Sequence, residues 1–406
     1  MGTPAPQVSR LTVDELVACQ QGSGSMLPAA AYLDDAVHDW EQTHFFEHGW
    51  VCVGRCDDLS ERGARRAVAS RADSVVLVRG HDDVLRGFYN ACRHRGHELL
   101  PCGASGSGKF IRCPYHAWVY DTSGDLYGVP PTHSDDVADP SQFSLVAAPT
   151  QEWHGFVFVN VSGDAPSLGE YLGGLDEVVA PYDMAGLRVA ESHEYEIAAN
   201  WKLIVENYDE CFHCPSIHPE LCQVSDPDSG SFVVGTGLWL GGTMWLRDGV
   251  ATMSLDGRSG GVPIPGLPEG RRRDVVYLHL FPNLLISLHP DYVMTHRMTA
   301  LAPSRTWVEC QWLFPQSAWE REGFSPAYAA DFWDVTNRQD WTACESVQRG
   351  AGSHGYRPGP FSSAYEYVVK AFVDMTARGY LTGGLPVPEP VPEIVVSAHA
   401  NGSKGA

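Results

Sequence analysis

The sequence predicts an α+β protein of two unequal domains: a small antiparallel β domain, then a larger one with helices flanking an antiparallel sheet. Three observations lead there. Short runs rich in β-branched and aromatic residues, separated by Gly, Asp and Ser turns, fill positions 50–162. Beyond Val189, strand-like runs alternate with longer helical patterns. The length of 406 residues suits two or three domains, with ample chain to bury a core.

Taken in order, residues 1–49 read as a polar lead and a helix over Tyr32–Trp50, expected to pack on the larger domain. The small domain is bounded at 50–165, with strands expected at Trp50–Gly54, Ser74–Val78, Phe110–Cys113, Trp118–Tyr120 and Gly155–Val161. Between two aromatic runs, Asp121-Thr122-Ser123-Gly124-Asp125 has the composition of a hairpin turn. A linker with Pro166 and Pro181 leads into the larger domain, 180–385. There His193–Ile197, Phe232–Val234, Val275–Phe281 and Trp307–Phe314 read as strands and Asn200–Phe212 as a helix. Ser325-Pro326 offers a cap and a first-turn proline for a further helix. The last segment, 386–406, opens on alternating prolines and is expected to be extended or disordered.

Composition narrows the function. Lys and Arg number 28 against 50 Asp and Glu, a net charge of −22. So acidic a surface repels phosphate backbones and anionic lipids, which argues against nucleic acid or a membrane as partner. No stretch approaches the roughly 18 apolar residues of a membrane span. Eleven cysteines, an odd number, follow a start (Met1–Gln20) without an apolar signal core. The expectation is a cytoplasmic, reducing location, where cysteines serve as metal ligands or plain thiols rather than disulfides.

Two constellations carry chemistry. The first is Cys92-Arg93-His94 followed, eighteen residues on, by Cys113-Pro114-Tyr115-His116. Two thiolates and two imidazoles on short loops can hold a Rieske-type [2Fe–2S] cluster, Cys92 and Cys113 on one iron and His94 and His116 on the other. They can also hold one zinc ion, but zinc fingers favour paired cysteines followed by paired histidines, and the mixed order fits them poorly. His97 is surplus to either set. Between the loops, Gly103–Lys109 satisfies G-x₄-G-K, yet Phe110 stands where Ser or Thr should meet magnesium and a strand follows. It reads as a flexible connection.

The second constellation lies in Asn200–Pro219. On the expected helix Glu210 and His213 stand three apart on one face, and Pro215 ends the helix so that a turn returns His218 towards His213. Two imidazoles completed by one carboxylate form the facial set of non-haem Fe(II) oxygenases, which leaves positions open for water and O₂. H-x₄-H alone is a weak signal.

The whole string N-W-K-x₃-E-N-x₂-E-x₂-H-x₄-H, downstream of C-x-H and C-x-x-H, resembles the signature of Rieske non-haem iron oxygenase α subunits. This is the aromatic-ring-hydroxylating dioxygenase family, and the resemblance extends over most of the chain, including the entry Trp50-Val51-Cys52-Val53-Gly54-Arg55. It implies a small antiparallel Rieske domain, a mononuclear iron domain, and O₂ as co-substrate. His213 and His218 match the family's iron-binding histidines, and Asp340 stands where the third ligand is expected, with Asp334 the alternative. Glu210 matches the bridging acid that joins His116 of the partner subunit to His213, with Asp209 its neighbouring competitor. Electrons would come from a separate NAD(P)H-dependent reductase, with or without a ferredoxin, since the chain lacks a dinucleotide or flavin signature. A homotrimer is implied.

The form E-N-Y-x-E-C-[FY]-H-C-P-x-x-H-P-E-L looks closer to the branch that hydroxylates or demethylates small quaternary ammonium compounds such as choline, carnitine or betaines. Trp239, Trp245, Tyr292 and Trp341 are candidates for a cation–π cage. An aromatic-ring cis-dihydroxylating dioxygenase is the alternative. Of other classes, a non-catalytic electron carrier and a zinc-stabilised binding module stay open. Carriers of the cytochrome bc type resemble a pattern with two further cysteines, at positions held here by His97 and Tyr115. Beyond Cys92 and Cys113, the cysteines, Cys211 and Cys214 among them, are expected to be reduced thiols.

Overall fold

The structure, a computed structural model, describes residues 8–22, 24–70, 73–385 and 391–396. It forms two units, one spanning 46–168 and a larger one built from the chain up to Phe45 and from Gly169 onward. In sequence, therefore, the small unit interrupts the larger one.

The small unit is antiparallel β throughout. A five-stranded sheet runs Ser105–Gly106, Arg65–Ser70, Asp73–Arg79, Leu85–Tyr89, Ala147–Ala148, and a three-stranded sheet pairs Val51–Arg55 and Thr150–Trp153 with Phe156–Val159. A third sheet, Phe110–Arg112, Val119–Asp121 and Leu126–Gly128, is a meander. The hairpin turn expected at 121–125 closes its last two strands. There Asp121 Oδ1 accepts from the N–H groups of Ser123 (2.9 Å) and Asp125 (3.0 Å), as short acidic side chains do in turns. Ser105–Gly106, inside the G-x₄-G-K segment, pairs with Arg65 and Arg66 and opens no helix, so the phosphate-loop pattern is only a pattern. Cys92 and Cys113 are buried in one core cluster with Val76, Phe88, Ile111, Trp118 and Tyr120.

In the larger unit an eight-stranded antiparallel sheet runs Arg188–Ile197, Arg305–Phe314, Val293–Ala302, Leu284–Leu288, Asp274–Leu280, Trp239–Trp245, Gly230–Val234, Val391–Val396. The last of these strands falls within the segment read as an extended or disordered tail; 386–390 and 397–406 lie outside the described residues. Three of its helices carry residues of functional interest: Trp201–Tyr208, the 25-residue Ala327–Ala351, and Tyr367–Thr382. Asn200 caps the first, its Oδ1 accepting from Lys202 N–H (3.1 Å). In the second, Ala330, Trp333, Asn337, Cys344, Gln348 and Ala351 are buried at steps of three, four and seven residues, an inward stripe.

The N-terminal segment, up to Phe45, belongs to this unit. It is not one helix over 32–50 but Ala29–Leu33, Asp35–Glu41 and a π-helical turn, Gln42–Glu47, broken where Asp34 turns to cap Ala36 N–H. Its Glu41, wholly buried, lies 2.6 Å from Lys202 Nζ and accepts from Trp201 Nε1 (2.8 Å) and from the Tyr380 hydroxyl. Among the described residues no helix is long and apolar enough to cross a membrane.

Candidate metal centres

In the small unit both ligand pairs sit on turns of one design. Cys92 N–H donates to His97 O (2.9 Å) and Gly96 N–H to Cys92 O (2.8 Å). Cys113 N–H donates to Trp118 O (2.8 Å) and Ala117 N–H to Cys113 O (3.1 Å). In each turn the fourth residue after the cysteine is left-handed, Gly96 at φ +72° and Ala117 at φ +59°. The turns point both cysteines into the core and leave both histidines partly exposed. The sulfurs interact with one another, and the His94 and His116 rings meet at 4.7 Å.

The residues fit a cluster. His94 Nδ1 is buried without a hydrogen-bond partner, an orphaned lone pair that a metal would satisfy. Trp118 stacks on the His94 ring at 5.0 Å and fixes its plane. Arg93 N–H donates to the Tyr120 hydroxyl (3.0 Å), which leaves that hydroxyl's proton free for Cys92 Sγ at 3.2 Å. The fifth candidate, His97, is exposed, with Nδ1 against Glu98 O at 2.6 Å.

The second centre departs from the sequence reading in its backbone. The helix expected through Phe212 stops at Tyr208. The Glu210 carboxylate accepts from Phe212 N–H and from His213 N–H (3.2 Å), bonds that a continuing helix would have given to the carbonyls of Tyr208 and Asp209. Glu210 and His213 are thus neighbours across a turn rather than along a helix face. Pro215 does not end that helix; it stands in the first turn of another, Cys214–Ile217. Cys211 and Cys214 are not free thiols but a disulfide bracketing His213, with Cα atoms 4.9 Å apart, a separation that suits the bond.

This turn, together with the long helix, brings three side chains to one point. His213 Nε2 lies 3.2 Å from His218 Nε2, and Asp340 Oδ1 lies 3.4 Å from the first and 2.8 Å from the second. Adjacent ligands on an octahedral metal at about 2.1 Å are separated by about 3 Å, so this triangle has the size of one ligand face. The outer nitrogens are held too. His213 Nδ1–H donates to Glu210 Oε1 and His218 Nδ1–H to Gln339 Oε1 (2.7 Å), which turns both Nε2 lone pairs inward. Burial alone would lower the His213 pKa, but Asp340 and Glu210 outweigh it and push it up to about 10. The cleft calls for a positive charge, whether proton or metal.

Asp334 does not join them. It accepts from the Tyr195 hydroxyl (2.6 Å) and Arg338 Nε (2.8 Å). Asp209 points elsewhere, its Oδ2 3.4 Å from His279 Nδ1. Gln339 was missed in the sequence, where adjacency to Asp340 was its one signal.

A cleft of about 970 Å³, counted to its open mouth, rises over His213, His218 and Asp340. Aromatic rings line it in a chain: Trp333 against Tyr277 (6.4 Å), Tyr277 against Tyr208 (5.8 Å), Tyr208 against His296 (6.0 Å), His296 against Trp341 (6.0 Å). Of the four cage candidates only Trp341 lines it. Trp239, Trp245 and Tyr292 do not, and Tyr292 instead accepts from Trp333 Nε1 from behind (2.7 Å).

Known proteins match both domains. The profile of the Rieske [2Fe–2S] domain matches residues 49–148, and that of the ring hydroxylating alpha subunit catalytic domain matches 184–381. The glycine betaine monooxygenase oxygenase subunit of Chromohalobacter salexigens is 31% identical over 390 residues, 89% of this chain and 86% of that relative. The carnitine monooxygenase oxygenase subunit of Escherichia coli K12 is 38% identical over 200 residues, 48% of this chain and 52% of the relative. A crystal structure of a quaternary ammonium Rieske monooxygenase in complex with an inhibitor superposes with a TM-score of 0.74 at 25% identity, covering 92% of this chain and 99% of that one. Likeness along nearly the whole length, with the cluster turns and the histidine pair in the same chain, places this protein in the family of Rieske non-haem iron oxygenase α subunits.

Proposed function

We propose that this oxygenase acts on a small quaternary ammonium compound, which it hydroxylates or demethylates with O₂ and with electrons from a separate NAD(P)H-dependent reductase. The observation that carries the reading is the ring chain over the His213–His218–Asp340 triangle. Aromatic faces bind a methylammonium group by cation–π attraction, roughly 0.5–2 kcal/mol per desolvated contact, and also keep water from the reacting carbon. The relatives named for glycine betaine and carnitine support the choice over an aromatic substrate.

Cys92, His94, Cys113 and His116 hold the cluster and His213, His218 and Asp340 the iron; together these groups supply single electrons and open coordination positions for O₂. Glu210 keeps His213 in the tautomer that presents Nε2, and Gln339 does the same for His218. Glu210 also serves as the bridge by which a homotrimer passes electrons from His116 of the partner subunit, and the enzyme works in the cytoplasm.

Product formation and O₂ uptake with a reconstituting reductase, compared across glycine betaine, carnitine, choline and small aromatics, test the substrate. Coupled turnover confined to an ammonium compound is expected; coupling only to an aromatic overturns the reading. Glu210→Gln should keep both metals yet lower turnover by about 10- to 100-fold or more; full activity removes the bridge.

A further inference from the structure

We propose that the Cys211–Cys214 pair sets how firmly the histidine site holds zinc. As a disulfide it leaves His213, His218 and Asp340 as an open three-ligand site; as a reduced pair it adds the Cys214 thiolate and closes the site on zinc. The inference rests on reading those three residues as metal ligands.

The geometry is asymmetric in a way that points to one sulfur. A ligand atom from each of His213, Cys214 and His218 lies within 4.8 Å of the other two, a grouping that includes neither Cys211 nor Asp340, and Asp340 Oδ1 reaches the two histidines from its own helix at 3.4 and 2.8 Å. Cys214 is 2% exposed, whereas Cys211 is partly open to solvent and both line the cleft. The disulfide thus has a face towards the metal and a face towards reagents.

Chemistry then separates the two states. A sulfur tied in a disulfide carries no charge and is a poor ligand. Freed as a thiolate, it suits zinc, which takes sulfur at about 2.3 Å and imidazole at about 2.0–2.1 Å and so places them roughly 3.6 Å apart in a tetrahedron. Once freed, the Cys214 side chain can turn about its Cα–Cβ bond into another staggered rotamer. With His213, His218 and Asp340 it would make four ligands, and a fourth, thiolate ligand holds zinc more firmly than the three alone. A closed tetrahedral site has no position left for O₂.

The exchange balances with a dithiol as reductant. One of its thiolates attacks the Cys211 sulfur, the S–S bond breaks, and Cys214 leaves as the thiolate. The second dithiol sulfur then releases Cys211 and closes the reagent's own disulfide. Two electrons and two protons pass from the dithiol to the cysteine pair.

The test uses the full-length protein with its cluster in place and its mononuclear metal removed. Oxidised and dithiol-treated samples, freed of the reagent, are loaded with Zn(II) without oxygen, challenged with a graded zinc chelator, desalted, and analysed for zinc, with peptide mass spectrometry reporting the disulfide. The oxidised protein should give its zinc up to the chelator, and the reduced protein should keep about one zinc per chain. Two variants lack the disulfide equally but keep different sulfurs. Cys211→Ser should keep zinc against the chelator without any dithiol, and Cys214→Ser should surrender it under either condition. Equal zinc retention in the two variants, or retention indifferent to reduction, overturns the proposal. His213→Ala should lose the metal in both states; if it does not, the ligand reading itself has failed, independently of the cysteines.

Discussion

The two metal-binding regions are built by different means. In the small unit two turns of one hydrogen-bond pattern each deliver a cysteine and a histidine, and each ligand lies within six residues of the bonds that hold its turn. In the larger unit a turn delivers His213 and His218, but the carboxylate arrives from a helix more than a hundred residues downstream. The first is a local construction repeated; the second is an assembly that exists only when the sheet and the long helix have packed. Their buried charges differ as well. Among the described residues the buried acids, Glu41, Glu206, Asp209 and Asp291, all lie in the larger unit.

The widest separation should come from removing one ligand on each side. Asp340→Ala should abolish turnover and lower iron from about three atoms per chain to about two, with the cluster's colour intact. Cys113→Ser should remove the colour and leave about one iron. If Asp334→Ala, rather than Asp340→Ala, costs the third iron, the assembly across the long helix is misassigned.

Next in size is a pH effect confined to the larger unit. Burial raises the Glu206 pKa from 4.5 to about 8, against the opposing pull of the Tyr32 hydroxyl (2.7 Å) and Lys202. The folded value exceeds the unfolded one, so the stabilising proton is fully present below pH 4.5 and lost as the pH rises through 8. The melting transition of the larger unit should fall between about pH 5 and 8, and Glu206→Gln should flatten that fall. A slope unchanged in the variant would place the titration elsewhere.

The smallest test compares the two cluster turns. At Gly96 no atom meets an added Cβ, so Gly96→Ala costs the left-handed strain less what the stiffer unfolded chain gives back, about 0.5 kcal/mol net. Ala117 already bears that strain, and Ala117→Gly should recover about half, the rest being lost to the freer unfolded chain. Both shifts are readable in chemical denaturation of the small unit.

The same contrast explains what could be read in the sequence. C-x-H and C-x-x-H name all four proposed cluster ligands because short turns keep sequence neighbours together in space. His213 and His218 were legible for that reason, whereas Asp340 rested on resemblance. A physical signal for it existed: Asp340 falls in phase with the buried stripe through Trp333, Asn337 and Cys344, and Asp334 does not. An acid on the inward face of a helix needs a partner. The helix expected through Phe212 failed because Glu210 outcompeted the backbone for its N–H groups, a competition that propensity does not register. The strand Leu284–Leu288 escaped notice as a wholly buried run without a period, whereas Val293–Ala302 and the helix Tyr367–Thr382 carry one that went unread: burial alternates over 298–301, and Lys370, Asp374 and Arg378 recur on the less buried side of the helix.

Glu41 ties the beginning of the larger unit to its end, since Tyr380, which donates to it, lies 339 residues further on. At about 5–20 residues per second a ribosome needs roughly 20–70 s to cover that interval. All four proposed cluster ligands and the strands that frame them have emerged long before. The chain is thus released in an order: the whole of the small unit is out while the larger unit still awaits its last helix.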